Sequence, residues 1–222
     1  MRFLQLLLAI LLSILILSMA AFDWLLQLLA DVLLLNALLV SLSTETGPFR
    51  WRRVLWVLFA LSVGCTAVAL FMASSPWRPW VFVLGIKFDI LLLAACLAAV
   101  LGYIFSCRRI DLDHIFAAVV AYILLAVIFA QMYYLLFFYN PQSFNLPQPE
   151  SAGLALLHGT FLYYSFMIIT TVGLGDVVPL TPLARIVTAI EAMSGQFFLA
   201  VLVAWLVGRF LAADVNPRRP SP

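Results

Sequence analysis

Apolar residues run along this chain in long blocks, and short polar breaks separate the blocks. A helix crossing the ~30 Å hydrocarbon core of a bilayer needs about 20 such residues at roughly 1.5 Å each. The first block, Phe3 to Leu42, is nearly continuous and is broken by Asp23, Asp31 and Asn36. As one helix it would be roughly 60 Å long, about twice the core, so it predicts two spans, 3–20 and 24–42, with a turn near Ala21-Phe22-Asp23. A cleaved signal peptide is the competing reading of the first span. Arg2, the leucine-rich run and Ser18-Met19-Ala20 loosely follow its three regions.

Ser43 to Pro48 is a polar break, and Arg50-Trp51-Arg52-Arg53 follows it. A third span is predicted over 54–73, then a short loop, Ser74-Ser75-Pro76-Trp77-Arg78-Pro79. The fourth span, 80–105, ends at Arg108-Arg109. The fifth, 113–138, begins at Asp111-Leu112-Asp113-His114. Near its far end, Tyr133, Tyr134 and Tyr139 are expected to form an aromatic belt at the membrane interface. Asn140 to Gly153 is the one sizeable polar loop, with prolines at 141, 147 and 149. Leu154 to Ile169 is apolar but too short for another full span before a glycine-bearing stretch. A helix over 159–170 would cover roughly 18 Å and stop inside the membrane. Non-helical backbone is tolerated at that depth only where protein buries it or water lines it. Pro179 and Pro182 restart the chain, and a last span is predicted over 183–210.

Composition agrees with this pattern. The 222 residues are 66% hydrophobic and 10% charged, whereas soluble domains run near about 45–50% and about 25%. The fold class is therefore all-α integral membrane. Cys65, Cys96 and Cys107 lie in or beside apolar stretches, an odd number that reads as packing residues and not as a disulfide framework. His114 and His158 are far apart. No metal-ligand or nucleophile constellation is visible, so no cofactor, no nucleic-acid partner and no enzymatic activity are expected.

Between the short apolar helix and the last span stands Thr170-Thr171-Val172-Gly173-Leu174-Gly175-Asp176. A glycine-rich turn with Asp176 as a cap is the plain reading of a lone Gly-x-Gly. The whole stretch, however, resembles the selectivity filter of potassium channels, whose commonest form is Thr-Val-Gly-Tyr-Gly-Asp. The chemistry behind such letters is that rings of backbone carbonyls replace an ion's water. Carbonyls facing one axis need a backbone that alternates between ordinary and left-handed conformations, and Gly173 and Gly175 adopt the latter without steric cost. The resemblance implies potassium at the carbonyls of Thr171, Val172, Gly173 and Leu174, with Gly175 completing the ion-binding segment. It also implies a contribution from the Thr171 hydroxyl and a Val172 side chain packed behind the loop.

The order outer helix, pore helix, filter and inner helix resembles the two-helix pore domain of the potassium-channel superfamily over about 113–211, in the manner of a bacterial six-helix, single-pore channel. Phe161-Leu162-Tyr163-Tyr164-Ser165 matches that family's aromatic-rich pore helix. The family pattern makes Tyr163 a brace for Asp176, with Thr170 as further filter support; plain packing is the other reading of Tyr163. Leu174 departs from the usual tyrosine, although Gly-Leu-Gly occurs in the second filter of some two-pore-domain potassium channels. Met167 stands where some relatives carry a buried glutamate. In the last span Gly195 occupies the position of a hinge glycine, or else of a close-packing site between helices. Glu191 costs about 2.5–3.5 kcal/mol to insert near a helix centre, so it should face protein. There it supports the pore helix, sets the field near the pore or serves as a hydrogen-bonded structural acid.

These observations divide the chain into a four-helix transmembrane domain (1–110), a pore domain (111–211) and a short cytoplasmic tail (212–222). The pore helix and filter loop re-enter between the fifth and sixth helices. An arginine-rich voltage sensor is not expected, since each sensing charge works about 2.3 kcal/mol per 100 mV and the fourth span carries only Lys87, beside Asp89. Asp31, Lys87 and Asp89 could form an intramembrane pair. With the filter mouth outside, nine of the twelve basic residues fall on the cytoplasmic side, all but Arg78, Lys87 and Arg185. Both termini would then be cytoplasmic in a multi-pass inner-membrane protein. A closed ring needs four filters and each chain has one, so a homotetramer in the lipid bilayer is expected. The function implied is passive, potassium-selective conduction. A weakly selective cation channel and a non-conducting scaffold or accessory subunit are the alternatives.

Overall fold

The computed structural model describes residues 3–5, 7–8, 11, 49–71, 76–106, 111–146 and 154–214. The span expected at 24–42 with Asp31, most of that at 3–20 and the tail beyond 214 lie outside the described residues. Five long helices carry the described chain: α1 (Phe49–Phe71), α2 (Arg78–Ser106), α3 (Leu112–Tyr139), α4 (Leu154–Ile169) and α5 (Pro182–Asp214). Among the described residues, Pro79–Ser106, Leu112–Tyr139 and Pro182–Leu202 are long and apolar enough to cross a membrane. In α1 the apolar stretch is the shorter Leu55–Val68. That helix starts at Phe49, five residues before the expected 54, so Arg50, Arg52 and Arg53 fall within its first turns.

Each helix packs on the next in sequence: α1 on α2, α2 on α3, then α3 and α5 on either side of α4. The core has two parts strung along α3. Toward its N-terminal half, Ala117, Ala118, Val120 and Ala121 let α2 approach closely through Leu92, Leu93, Cys96, Val100 and Ile104. Small side chains at such crossings maximise dispersion contact, the main force between helices in lipid. The other part is aromatic. Phe129, Tyr133, Tyr134 and Phe137 of α3 enclose Phe161 and Tyr164 of α4, and Phe82 of α2 closes the cluster.

That cluster corrects the expected aromatic belt. Tyr139 is 54% exposed, but Tyr133 is fully buried and Tyr134 nearly so. Consecutive helix positions point about 100° apart, and rings from Phe144 and from α4 capture both of them. Tyr134 stacks on His158 with centroids 3.9 Å apart, and Tyr133 packs edge-on against Tyr164 at 5.0 Å.

The helix expected over 159–170 starts earlier, at Leu154, and its 16 residues span roughly 24 Å, still short of a ~30 Å core. A two-residue antiparallel ribbon was not foreseen: β1 (Phe144–Asn145) pairs with β2 (Val178–Pro179). Leu180 N donates to the Ser143 carbonyl at 2.8 Å, so the chain leading into α4 is tied to the chain leaving Asp176.

Lys87 and Asp89 do not meet. Two residues apart on a helix they point to different sides. Lys87 Nζ lies 5.7 Å from the centre of the Tyr139 ring, whereas buried Asp89 accepts a hydrogen bond from Ser62 of α1.

Candidate functional site

α4 owes its place to one buried face. Phe161, Tyr164, Ser165 and Ile169 are buried at helical spacing, and they lie against α3 and α5. The polar members of that face are all paired. Ser165 Oγ lies within hydrogen-bond distance of the Ala126 carbonyl of α3, at 2.7 Å, and of the Glu191 carboxyl group of α5, so its one proton serves either acceptor. Glu191, at 0% exposure, accepts from the Tyr133 hydroxyl. Thr188 donates to the Ala184 carbonyl at 2.9 Å, so its single proton is spent and Tyr164 is the donor in their 3.0 Å contact. Three helices thus meet at one buried carboxyl group directly behind α4.

Where α4 ends, the following segment wraps back on it. Thr171 N donates to the Ile168 carbonyl and Val172 N to the Met167 carbonyl, both at 2.9 Å. This is the paired bonding of a Schellman cap. Such caps place a left-handed residue after the helix, usually glycine, and here Thr171 takes it with φ of 62°. Gly173 and Gly175 follow with φ of 52° and 79°. Left-handed backbone therefore recurs at every second residue, 171, 173 and 175. The sequence accounts for two of the three. A β-branched residue in this region is an outlier that surrounding structure must enforce.

The remaining predicted residues divide by contact. Tyr163 lies on the exposed side of α4, and its hydroxyl interacts with the Asp176 carboxylate. Thr170 caps its own helix, Oγ1 donating to the Phe166 carbonyl at 2.5 Å. Val172 and Leu174 are 55% and 66% exposed, so within one chain the valine expected behind the loop is only about half covered. Gly195 sits under the end of α4: a Cβ there would lie 2.6 Å from the Ile169 carbonyl oxygen. Its geometry is a close approach, and α5 runs unbroken through it. Tyr133, Ser165 as a polar anchor, and Tyr122 were missed. Their only signal was a hydroxyl among hydrocarbon neighbours, which does not name its partner.

Residues 117–212, from the second turn of α3 almost to the end of α5, match the family model described as an ion channel. No curated protein and no solved structure matches the chain. Together with its apolar helices, the match supports an ion channel of the potassium-channel superfamily, a membrane protein with a transport-type function.

Proposed function

We propose that this chain is the pore-forming subunit of a potassium-selective channel. The observation that carries the reading is the alternation of left-handed backbone at Thr171, Gly173 and Gly175. It falls within Thr-Val-Gly-Leu-Gly-Asp at the foot of a short buried-face helix, inside the stretch that matches the ion-channel family. Alternation of this kind turns successive carbonyls the same way, the arrangement a dehydrated cation requires.

In this reading α4 re-enters the membrane between α3 and α5 as a pore helix, and six spans surround it, two of them ahead of α1. Residues 1–110 form a domain without a charged sensor. The termini are cytoplasmic and the protein resides in the inner membrane. Four copies close the ring. The uncovered apolar stripe on α5, Leu183, Ile186, Ile190, Met193, Phe197 and Val201, follows helical spacing and supplies a face for the neighbouring subunits or lipid.

A weakly selective cation pore is the second reading. It is favoured by Leu174, whose exposed side chain offers no hydroxyl to anchor the outer end of the segment. Cation flux from proteoliposomes distinguishes the two. Potassium flux well above sodium, blocked by barium, is expected; equal flux of both ions selects the weakly selective pore, and none in a tetrameric particle removes the conducting reading.

A further inference from the structure

The last four carbonyls of a helix lack intrahelical partners and must find others. In α4, three of them are met by what immediately follows. The Phe166 carbonyl accepts from Thr170 N at 3.2 Å, Met167 from Val172 and Gly173 N at 2.9 and 3.0 Å, and Ile168 from Thr171 N at 2.9 Å. The fourth, at Ile169, is met from elsewhere. The Tyr122 hydroxyl of α3 donates to it at 2.8 Å. Gly195 packs against the same carbonyl from α5, and Phe198, one turn on, lies against the Tyr122 ring with centroids 5.4 Å apart. The peptide from which the Thr170–Asp176 segment starts is therefore gripped from two helices.

We infer that Tyr122 is a positioning residue for this segment: its hydroxyl fixes the Ile169 carbonyl against Gly195 and so keeps Thr171 in its left-handed conformation. The argument rests on the proposed filter reading for its consequence and on geometry for its cause. Thr171 is two residues beyond the held carbonyl, and no intrinsic preference keeps a threonine at positive φ. A buried carbonyl released from Tyr122 turns toward another donor or toward a cation. The Ile169–Thr170 peptide rotates with it, and the strained threonine is freed to relax. The innermost pair of carbonyls then loses its aim. Tyr122 would thus act on selectivity through Ile169 and Thr171, without touching an ion.

The test compares Tyr122→Phe with wild type and with Tyr134→Phe, which removes a hydroxyl from a tyrosine packed on His158 instead. In full-length protein in proteoliposomes, Tyr122→Phe should shift the potassium-to-sodium flux ratio toward sodium by about tenfold, the worth of one hydrogen bond. Tyr134→Phe should leave it unchanged even where it lowers thermal stability as much. A ratio in Tyr122→Phe equal to wild type overturns the inference. Solid-state NMR gives a readout that does not depend on conduction. Ile169–Thr170 and Thr171–Val172 are each the single dipeptide of their kind in the chain, so paired carbonyl-carbon and amide-nitrogen labelling selects each carbonyl. Both carbonyl signals should move in Tyr122→Phe and stay in place in Tyr134→Phe. If wild type conducts no potassium, the channel reading fails while these signals still decide the positioning. An unmoved Thr171 signal overturns it and a displaced one supports it.

Discussion

Ser165 of α4 and Glu191 of α5 share a hydrogen bond at a point from which water is excluded, both residues being completely buried. One turn further along each helix, Ile169 meets Gly195. Two contacts in the same register fix how α5 slides and rotates against α4. The same two residues of α4 are held similarly by α3, with Ser165 on Ala126 and Tyr122 on Ile169. Those contacts are again one turn apart. The short helix is thereby held over its last turn by both long ones, and the segment that follows inherits its position.

Replacing Glu191 tests the carboxyl junction. Glu191→Gln keeps a side chain that can accept from Tyr133 and bond to Ser165, so folding and assembly should survive. Glu191→Leu leaves the Tyr133 hydroxyl buried without that acceptor, at about 1–3 kcal/mol, whereas Ser165 keeps the Ala126 carbonyl. Thermal unfolding in mild detergent should show a clear fall in Tm for leucine and a small one for glutamine. Equal falls would mean that the junction contributes by packing alone.

Gly195→Ala and Gly208→Ala should have opposite signs. Both lie within α5, where alanine favours helix over glycine by roughly 0.5–1 kcal/mol. At Gly208 a Cβ meets nothing within 4 Å, so the gain should appear as a higher Tm. At Gly195 the new atom collides with Ile169 backbone, and overpacking of this kind costs about 1–3 kcal/mol. A lower Tm and altered cation flux are expected there. A gain in stability at Gly195 would show that the close approach relaxes freely.

How far the sequence reveals this arrangement depends on the range of the interaction. The helices α2, α3 and α5 are legible because each is one long apolar run, and the short length of α4 shows in the spacing of its flanking polar residues. Gly173 and Gly175 announce left-handed backbone because glycine is the residue that tolerates it. Thr171 does not, since its φ is imposed by the cap of α4 and the grip on Ile169. Tyr133 and Tyr134 read as interfacial from their place near a helix end, yet aromatics more than 20 residues away in the chain bury them. Lys87 and Asp89 likewise look like a pair in the linear text, and helix geometry sends them to Tyr139 and Ser62. Two-residue strands such as β1 and β2 carry no periodicity at all.

That separation makes a testable contrast in α2. Lys87→Gln removes a charge from an exposed position with a ring contact, and surface changes of this sort stay within about 0.5 kcal/mol. Asp89→Leu strips Ser62 of its buried acceptor, at about 1–3 kcal/mol. Chemical or thermal unfolding should therefore register the aspartate and ignore the lysine. Matching losses from the two variants would point to a Lys87–Asp89 ion pair after all.

The glycines of the Thr170–Asp176 segment separate conformation from crowding. Neither Gly173 nor Gly175 has an atom within 4 Å of the position a Cβ would take in the single chain. Alanine at either site therefore meets only the backbone penalty of the left-handed region, roughly 1–2 kcal/mol. A helical membrane protein of this size should absorb that and keep its circular dichroism and its assembly. Conduction should not survive, because relaxing φ at 173 or 175 turns one carbonyl out of the common direction. The expected result for Gly175→Ala is a correctly assembled protein whose barium-sensitive potassium flux is lost. Wild-type flux in that variant would show that the alternating backbone is incidental, and the Thr-Val-Gly-Leu-Gly-Asp segment would then be a turn between two helices.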